Sequence, residues 1–135
     1  MSVKDEYHNL KSHFLRILDA KFKCCDIPRN VLKKSTVLGH FGIGVVVNEN
    51  TVLGENVFIA QNVTIGSKTG SKKAPVIEDN VKIHANACII GDITIGRNSI
   101  IGAGAVVTKD VPPYSIIVGD NKILKYINEY KNENM

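Results

Sequence analysis

Cysteine, aromatic residues and long apolar runs are all scarce in this 135-residue chain, and each scarcity removes a class of function. Cys24, Cys25 and Cys88 are the only cysteines, two of them adjacent; they are too few for a disulfide framework and read as reduced thiols. Aromatic residues make up 6%, and 17 Lys and Arg against 13 Asp and Glu leave a net charge of +4. The basic residues are scattered and not interleaved with aromatics along a stripe, which argues against a nucleic-acid partner. No apolar run approaches the ~20 residues of a membrane span. Met1, Asp5, Glu6, His8 and Lys11 stand where a signal peptide would begin its apolar stretch. A cytoplasmic protein without an integral membrane segment is therefore expected. A hydrophobic content of 44% supports one folded domain with a real core.

What is present is a repeat. Aliphatic residues recur every six positions at Val47, Leu53, Ile59, Ile65, Ile77, Ile83, Ile89, Ile95, Ile101 and Val107, and only Ser71 breaks the series. Four positions after each stands a small or β-branched residue, among them Thr51, Val57, Val63, Val81, Ala87, Ile93, Ser99 and Ala105. Turn formers such as Gly54-Glu55-Asn56, Ala85-Asn86 and Gly102-Ala103-Gly104 lie between. A period of six fits neither an amphipathic helix nor a hairpin meander; it fits short strands joined by like corners. Alternation along each strand turns both aliphatic series inward. The fold class is an all-β solenoid whose core is a stack of Ile and Val layers.

Three domains of organisation follow: an N-terminal helix over 1–25, the solenoid over 26–119 with an extruded loop over 67–75, and a C-terminal helix or tail over 120–135. Tyr7, Leu10, Phe14, Ile17 and Leu18 recur at helical spacing and predict a helix from Val3 to about Lys23 that caps the first coil. Ile123, Tyr126, Ile127 and Tyr130 predict a second, short helix after Pro112-Pro113. The segment from Ser67 to Pro75 lacks aliphatics, is rich in Gly, Ser and Lys, and predicts a mobile loop carrying Lys68, Lys72 and Lys73. Phe58 and Val76 fall at outward positions although apolar, which suggests surfaces that another chain covers.

Among the four histidines, His8 and His13 fall on a solvated helix face. His84 occupies a corner where the repeat favours a small residue, and reads either as a functional substitution or as a tolerated exposed side chain. His40 lies in Gly39-His40-Phe41-Gly42, with Phe41 continuing the inward frame and His40 pointing out. A neutral imidazole on a rigid strand, flanked by glycines that admit a ligand, suits a general base for a hydroxyl.

The run Gly39-His40-Phe41-Gly42, then Gln61-Asn62-Val63-Thr64-Ile65-Gly66, Lys73-Ala74-Pro75-Val76-Ile77 and Ile101-Gly102-Ala103-Gly104-Ala105-Val106-Val107, resembles the serine-acetyltransferase-like branch of the hexapeptide-repeat acyltransferases. Within that branch the chain looks most similar to members that O-acetylate sugars of surface polysaccharides. The resemblance implies a left-handed parallel β-helix, a homotrimer with the active groove between subunits, and acetyl-coenzyme A as co-substrate. It also implies His40 as general base and an acidic residue upstream to orient it, for which Asp26 lies near the matching place. Ala85, Ala103, Thr108 and Lys109 match positions that contact the cofactor, and Lys122 is a candidate for a nucleotide phosphate. Lys68, Lys72 and Lys73 could draw an anionic cofactor or glycan, or form a solvated loop.

Two departures shape the acceptor. Serine acetyltransferases carry an aspartate directly before the histidine and a second histidine in the loop before the proline, where this chain has Gly39 and Ala74. A zwitterionic acceptor would find its charges poorly compensated, so a sugar hydroxyl is the first expectation, with serine or the amine of a nucleotide sugar as alternatives. A solenoid scaffold without activity is the non-enzyme alternative. A zinc hydrolyase on the same fold would need three histidine ligands; only His40 and His84 lie on the coils, so no metal is expected. Nothing resembles a nucleophile elbow, so direct transfer is expected, with backbone N–H groups near Gly42 or Gly66 as candidates for the oxyanion.

Overall fold

The computed structural model describes residues 10–15, 18 and 24–127. Twelve of its thirteen strands are two to four residues long. In chain order they are β1 (Val37–Leu38), β2 (Val46–Val47), β3 (Val52–Leu53), β4 (Phe58–Ile59), β5 (Thr64–Gly66), β6 (Val76–Ile77), β7 (Lys82–Ile83), β8 (Cys88–Ile90), β9 (Thr94–Ile95), β10 (Ile100–Ile101), β11 (Val106–Val107), β12 (Ser115–Val118) and β13 (Lys122–Tyr126). Strands one turn of the coil apart stack in parallel: β1-β4-β7-β10-β12 make sheet I, β2-β5-β8-β11 sheet II and β3-β6-β9 sheet III. The chain therefore winds as a three-sided coil with one hexapeptide per side.

The inward pattern is as the period requires. Ile59, Ile65, Ile77, Ile83, Ile89, Ile95 and Ile101 are fully buried, as are Val57, Val63, Val81, Ser99 and Ala105 from the second series. In-register pairing, for example Ile59↔Ile83↔Ile101, lays identical side chains over one another, so each rung is sealed by the rungs above and below. The corners close through left-handed residues. Asn62, Asn86 and Gly104 end the corners from sheet I to sheet II, and Asn56, Asn80 and Asn98 those from sheet III to sheet I, all at φ between 55° and 69°. Asparagine and glycine tolerate that region where a branched side chain would not.

Two expectations are corrected. Lys122–Tyr126 is a strand, not a helix, and pairs antiparallel with β12. The backbone edge left open by β12 is a stronger template than the weak helical stripe of Ile123 and Tyr126, and pairing also covers that edge. Residues 10–15 and 18 are helical, but Leu10 and Phe14 are 71% and 60% exposed, so these two side chains do not cap the first coil. The remaining residues of both predicted helices, His8 included, lie outside the described residues, apart from Ile127, which is helical. Among the described residues, no helix is long and apolar enough to cross a membrane.

Candidate active site

The first coil departs from the others at one place. Seven residues separate β1 from β2, against four between β4 and β5, so three extra residues must be accommodated at the sheet I–II corner. They fold as the 3₁₀ segment Gly39–Gly42, in which His40 (φ 49°, ψ 41°) and Phe41 (φ 59°, ψ 18°) are both left-handed. Each such residue costs an L side chain about 1–2 kcal/mol, so the surroundings must hold the turn. Its exit is tied by backbone bonds: Gly44 N–H donates to Cys24 O at 2.7 Å, and Asn62 N–H to Ile43 O at 2.9 Å. Gly42 is held between Leu38 and Ile27.

The extra residues also reverse the orientation read from the period. Phe41 does not continue the inward frame; it is 87% exposed, because the turn lifts it off the strand path. His40 is exposed as expected, on a corner turn and not on a strand.

The same corner carries two of the proposed cofactor contacts. Ala85 and Ala103 follow β7 and β10 just as His40 follows β1, and the corners are stitched by Asn86 N–H to Gln61 O and Gly104 N–H to Ala85 O. One edge of the prism thus presents His40, Gln61, Ala85 and Ala103 in successive coils, stacked at about 4.8 Å per coil. Toward the C-terminal end a Cβ at Gly104 or Gly119 would meet nothing within 4 Å, so the edge is open to a ligand there. Lys122 begins β13 just after this edge is turned for the last time, at Gly119-Asp120-Asn121.

Thr108 and Lys109 lie across sheet II, on its other edge. Thr108 is engaged: its N–H donates to Asn121 Oδ1 at 2.7 Å, and Asn121 Nδ2 donates to its hydroxyl at 2.9 Å. Lys109 is exposed beside it. Asp26 enters as a row above β2, its N–H bonded to Val45 O and its carbonyl to Val47 N–H, which places it on the strand position reached just after the His40 turn. Asp26, Asn48, Glu49, Thr64, Gly66 and Ser67 belong to a groove of ≈ 570 Å³ over sheet II, floored by Val46 and Ile90. Asn48, Glu49 and Ser67 carry no signal in the repeat, being ordinary corner residues in sequence, and only the stacking gathers them.

The 67–75 loop is less free than its composition suggested. Nine residues separate β5 from β6, and Lys73 Nζ pairs with Asp92 at 2.9 Å. The Lys68 stem lies over Gly91, where a Cβ would stand 3.4 Å from Lys68 Cε. Lys72 is exposed. The loop therefore rests on the next coil's corner. Hydrogen bonding to Asp92, then its charge, raises the Lys73 ammonium above its ordinary 10.5. A raised value means that the pair supports the closed loop at neutral pH and loses that support as pH rises through the Lys73 value. Limited proteolysis within 67–75 should accelerate for Asp92→Asn at pH 7.5, and in the wild-type protein as pH rises through the Lys73 value; equal cleavage rates would show the ion pair to be idle.

Phe58 corrects the surface reading. It is outward on β4 but half-buried, covered by its own chain, whereas Val76 and its neighbour Val52 on sheet III are 38% and 54% exposed. Cys24, Cys25 and Cys88 form no disulfide among the described residues.

Residues 74–109 match the family model described as bacterial transferase hexapeptide (six repeats). The match takes in the strands from β6 to β11. A serine acetyltransferase of Staphylococcus aureus is 48% identical over 94 residues, which are 68% of this chain and 44% of the relative. One from Bacillus licheniformis is 46% identical over 80 residues, 58% of this chain and 37% of the relative. Among solved structures, a Brucella abortus serine acetyltransferase in complex with coenzyme A superposes with a TM-score of 0.84 at 30% identity, covering 92% of this chain and 51% of that one. A Neisseria gonorrhoeae serine acetyltransferase in complex with serine gives 0.67 at 38% identity, covering 84% and 48%. The hexapeptide chain thus spans about half the length of these relatives, or less. All of them are serine acetyltransferases, and the closeness to sugar O-acetyltransferases expected above gains no support from them.

Proposed function

We propose that the protein is an acetyl-coenzyme A-dependent O-acetyltransferase with His40 as general base. The observation that carries this reading is the shared edge: an exposed imidazole on a held turn, in line with the small corners Ala85 and Ala103 and the open space at Gly104. The edge fits an extended pantetheine arm, with small side chains that let it approach the corner backbone; Lys122, and Lys109 beyond sheet II, would meet its phosphates. Acetyl-coenzyme A supplies the activated acetyl group. His40 takes the acceptor hydroxyl's proton while the oxygen attacks the thioester carbon, and returns a proton to the sulfur as the C–S bond breaks. Asp26, near the turn's exit, is the candidate to orient the imidazole. The transfer is direct, without an acyl-enzyme.

Serine is the acceptor that the relatives favour, since the gonococcal structure is of a serine complex. A sugar hydroxyl is the second reading, and two observations favour it. A Cβ at Gly39 would lie 3.2 Å from Phe58 Cζ and 3.3 Å from Ala60 Cα, leaving a carboxylate there little room. Ala74, 7% exposed, offers no imidazole. A homotrimer is part of the proposal, with the exposed Val46 and Val106 of sheet II and Val52 and Val76 of sheet III as surfaces to be covered. Release of free thiol from acetyl-coenzyme A, measured against serine, a panel of sugars and amino sugars, and no acceptor, tests it. Serine-dependent release is expected; release only with sugars selects the second reading, and release with none removes the activity.

A further inference from the structure

Resting on the reading of His40 as base, we propose that Phe58 is its positioning residue: the Phe58 ring is the floor on which the left-handed Gly39–Gly42 turn is set, and His84 is the buttress behind that ring. The turn's exit is held by main-chain hydrogen bonds, but its entry at Gly39 rests on an aromatic surface. A Cβ at Gly39 would stand 3.2 Å from Phe58 Cζ and 3.5 Å from Cε2, so the glycine backbone lies directly against the ring. Phe58 is in turn met by His84, one coil further on, with ring centroids 6.0 Å apart and planes at 54°. That tilted arrangement is a favourable one for aromatic pairs. Three successive coils are thereby linked along the edge that presents His40.

The arrangement accounts for three features of the sequence together. Phe58 stands at an outward strand position where neighbours on the same column are Val37 and Lys82, yet it is half-buried, with the Gly39 backbone against its ring. Gly39 has no side chain because the ring takes the space. His84 breaks the small-residue rule of its corner because it backs the ring. A turn with two consecutive non-glycine residues at positive φ persists only where its surroundings over-determine it, and a missing ring would free its entry.

The direct test is the His40 imidazole itself, observed in the protein without ligand. The ¹H–¹³C imidazole resonance of His40, assigned with His40→Gln, should be single and sharp in the wild type, and broadened or split in Phe58→Ala. Phe58→Leu, which keeps most of the floor, should restore it, and serves also if the alanine variant fails to fold. In thiol-release assays Phe58→Ala should lower kcat by about tenfold to a hundredfold, with KM for acetyl-coenzyme A within twofold, and should cost nothing further in a His40→Ala background. An unchanged His40 resonance in a folded Phe58→Ala protein, or equal losses in both backgrounds, overturns the positioning role while leaving His40 as base. Full activity of His40→Ala alone overturns the base reading instead.

Discussion

Replacing His40 by alanine should reduce acetyl transfer by about 10² to 10⁴ in kcat, the usual worth of a general base, without weakening the fold. The side chain is exposed and its truncation opens no cavity. Its backbone is left-handed at φ 49°, so His40→Gly should be at least as stable as the wild type, because glycine alone adopts that region without steric cost. The pair separates chemistry from structure: both variants lose turnover, and the glycine variant melts no lower. Denaturant midpoints and initial rates on the same preparations measure both; an active His40→Gly enzyme would place the base elsewhere.

Truncating a central rung should do the reverse. Ile83 is fully buried on β7, between Ile59 and Ile101 in register. Ile83→Ala removes three methyl(ene) groups from a site that cannot collapse, because rungs on both sides are fixed by strand pairing. A loss of about 2–5 kcal/mol follows from the transfer and cavity terms, a large part of the 5–15 kcal/mol typical of a domain. Each coil leans only on its neighbours, so the lesion should lower the cooperativity of unfolding as well as its midpoint. Lys82→Ala, one residue earlier and outward, is the control. A urea midpoint for Ile83→Ala within error of that control would mean that the stacked aliphatic core is not what holds the coil.

The repeat was legible because its physics is local and periodic: one inward aliphatic and one inward small residue per hexapeptide define strand, corner and layer at once. The left-handed asparagines were visible as turn formers, though not as a single conformational rule. What escaped was non-local. Three additional residues between β1 and β2 turn Phe41 outward, and nothing within Gly39–Gly44 shows that Phe58 lies beneath them. The strand Lys122–Tyr126 was misread because Ile123, Tyr126 and Ile127 fit a helical stripe, while the open edge of β12 that claims them lies in the fold. His40 was singled out by residue type and flanking glycines; Asn48, Glu49 and Ser67, at the far edge of sheet II, carry ordinary corner chemistry and join a groove only when coils stack.

The central claim is that acetyl-coenzyme A lies along the edge that begins at His40. Backbone amide shifts recorded while acetyl-coenzyme A is titrated into the isotope-labelled protein test it most directly. The expected result is a contiguous set of perturbations at His40, Ala85, Ala103 and Gly104, with Val52, Val76 and Thr94 on sheet III unmoved. Perturbations centred on sheet III, or none at saturating co-substrate, would contradict it.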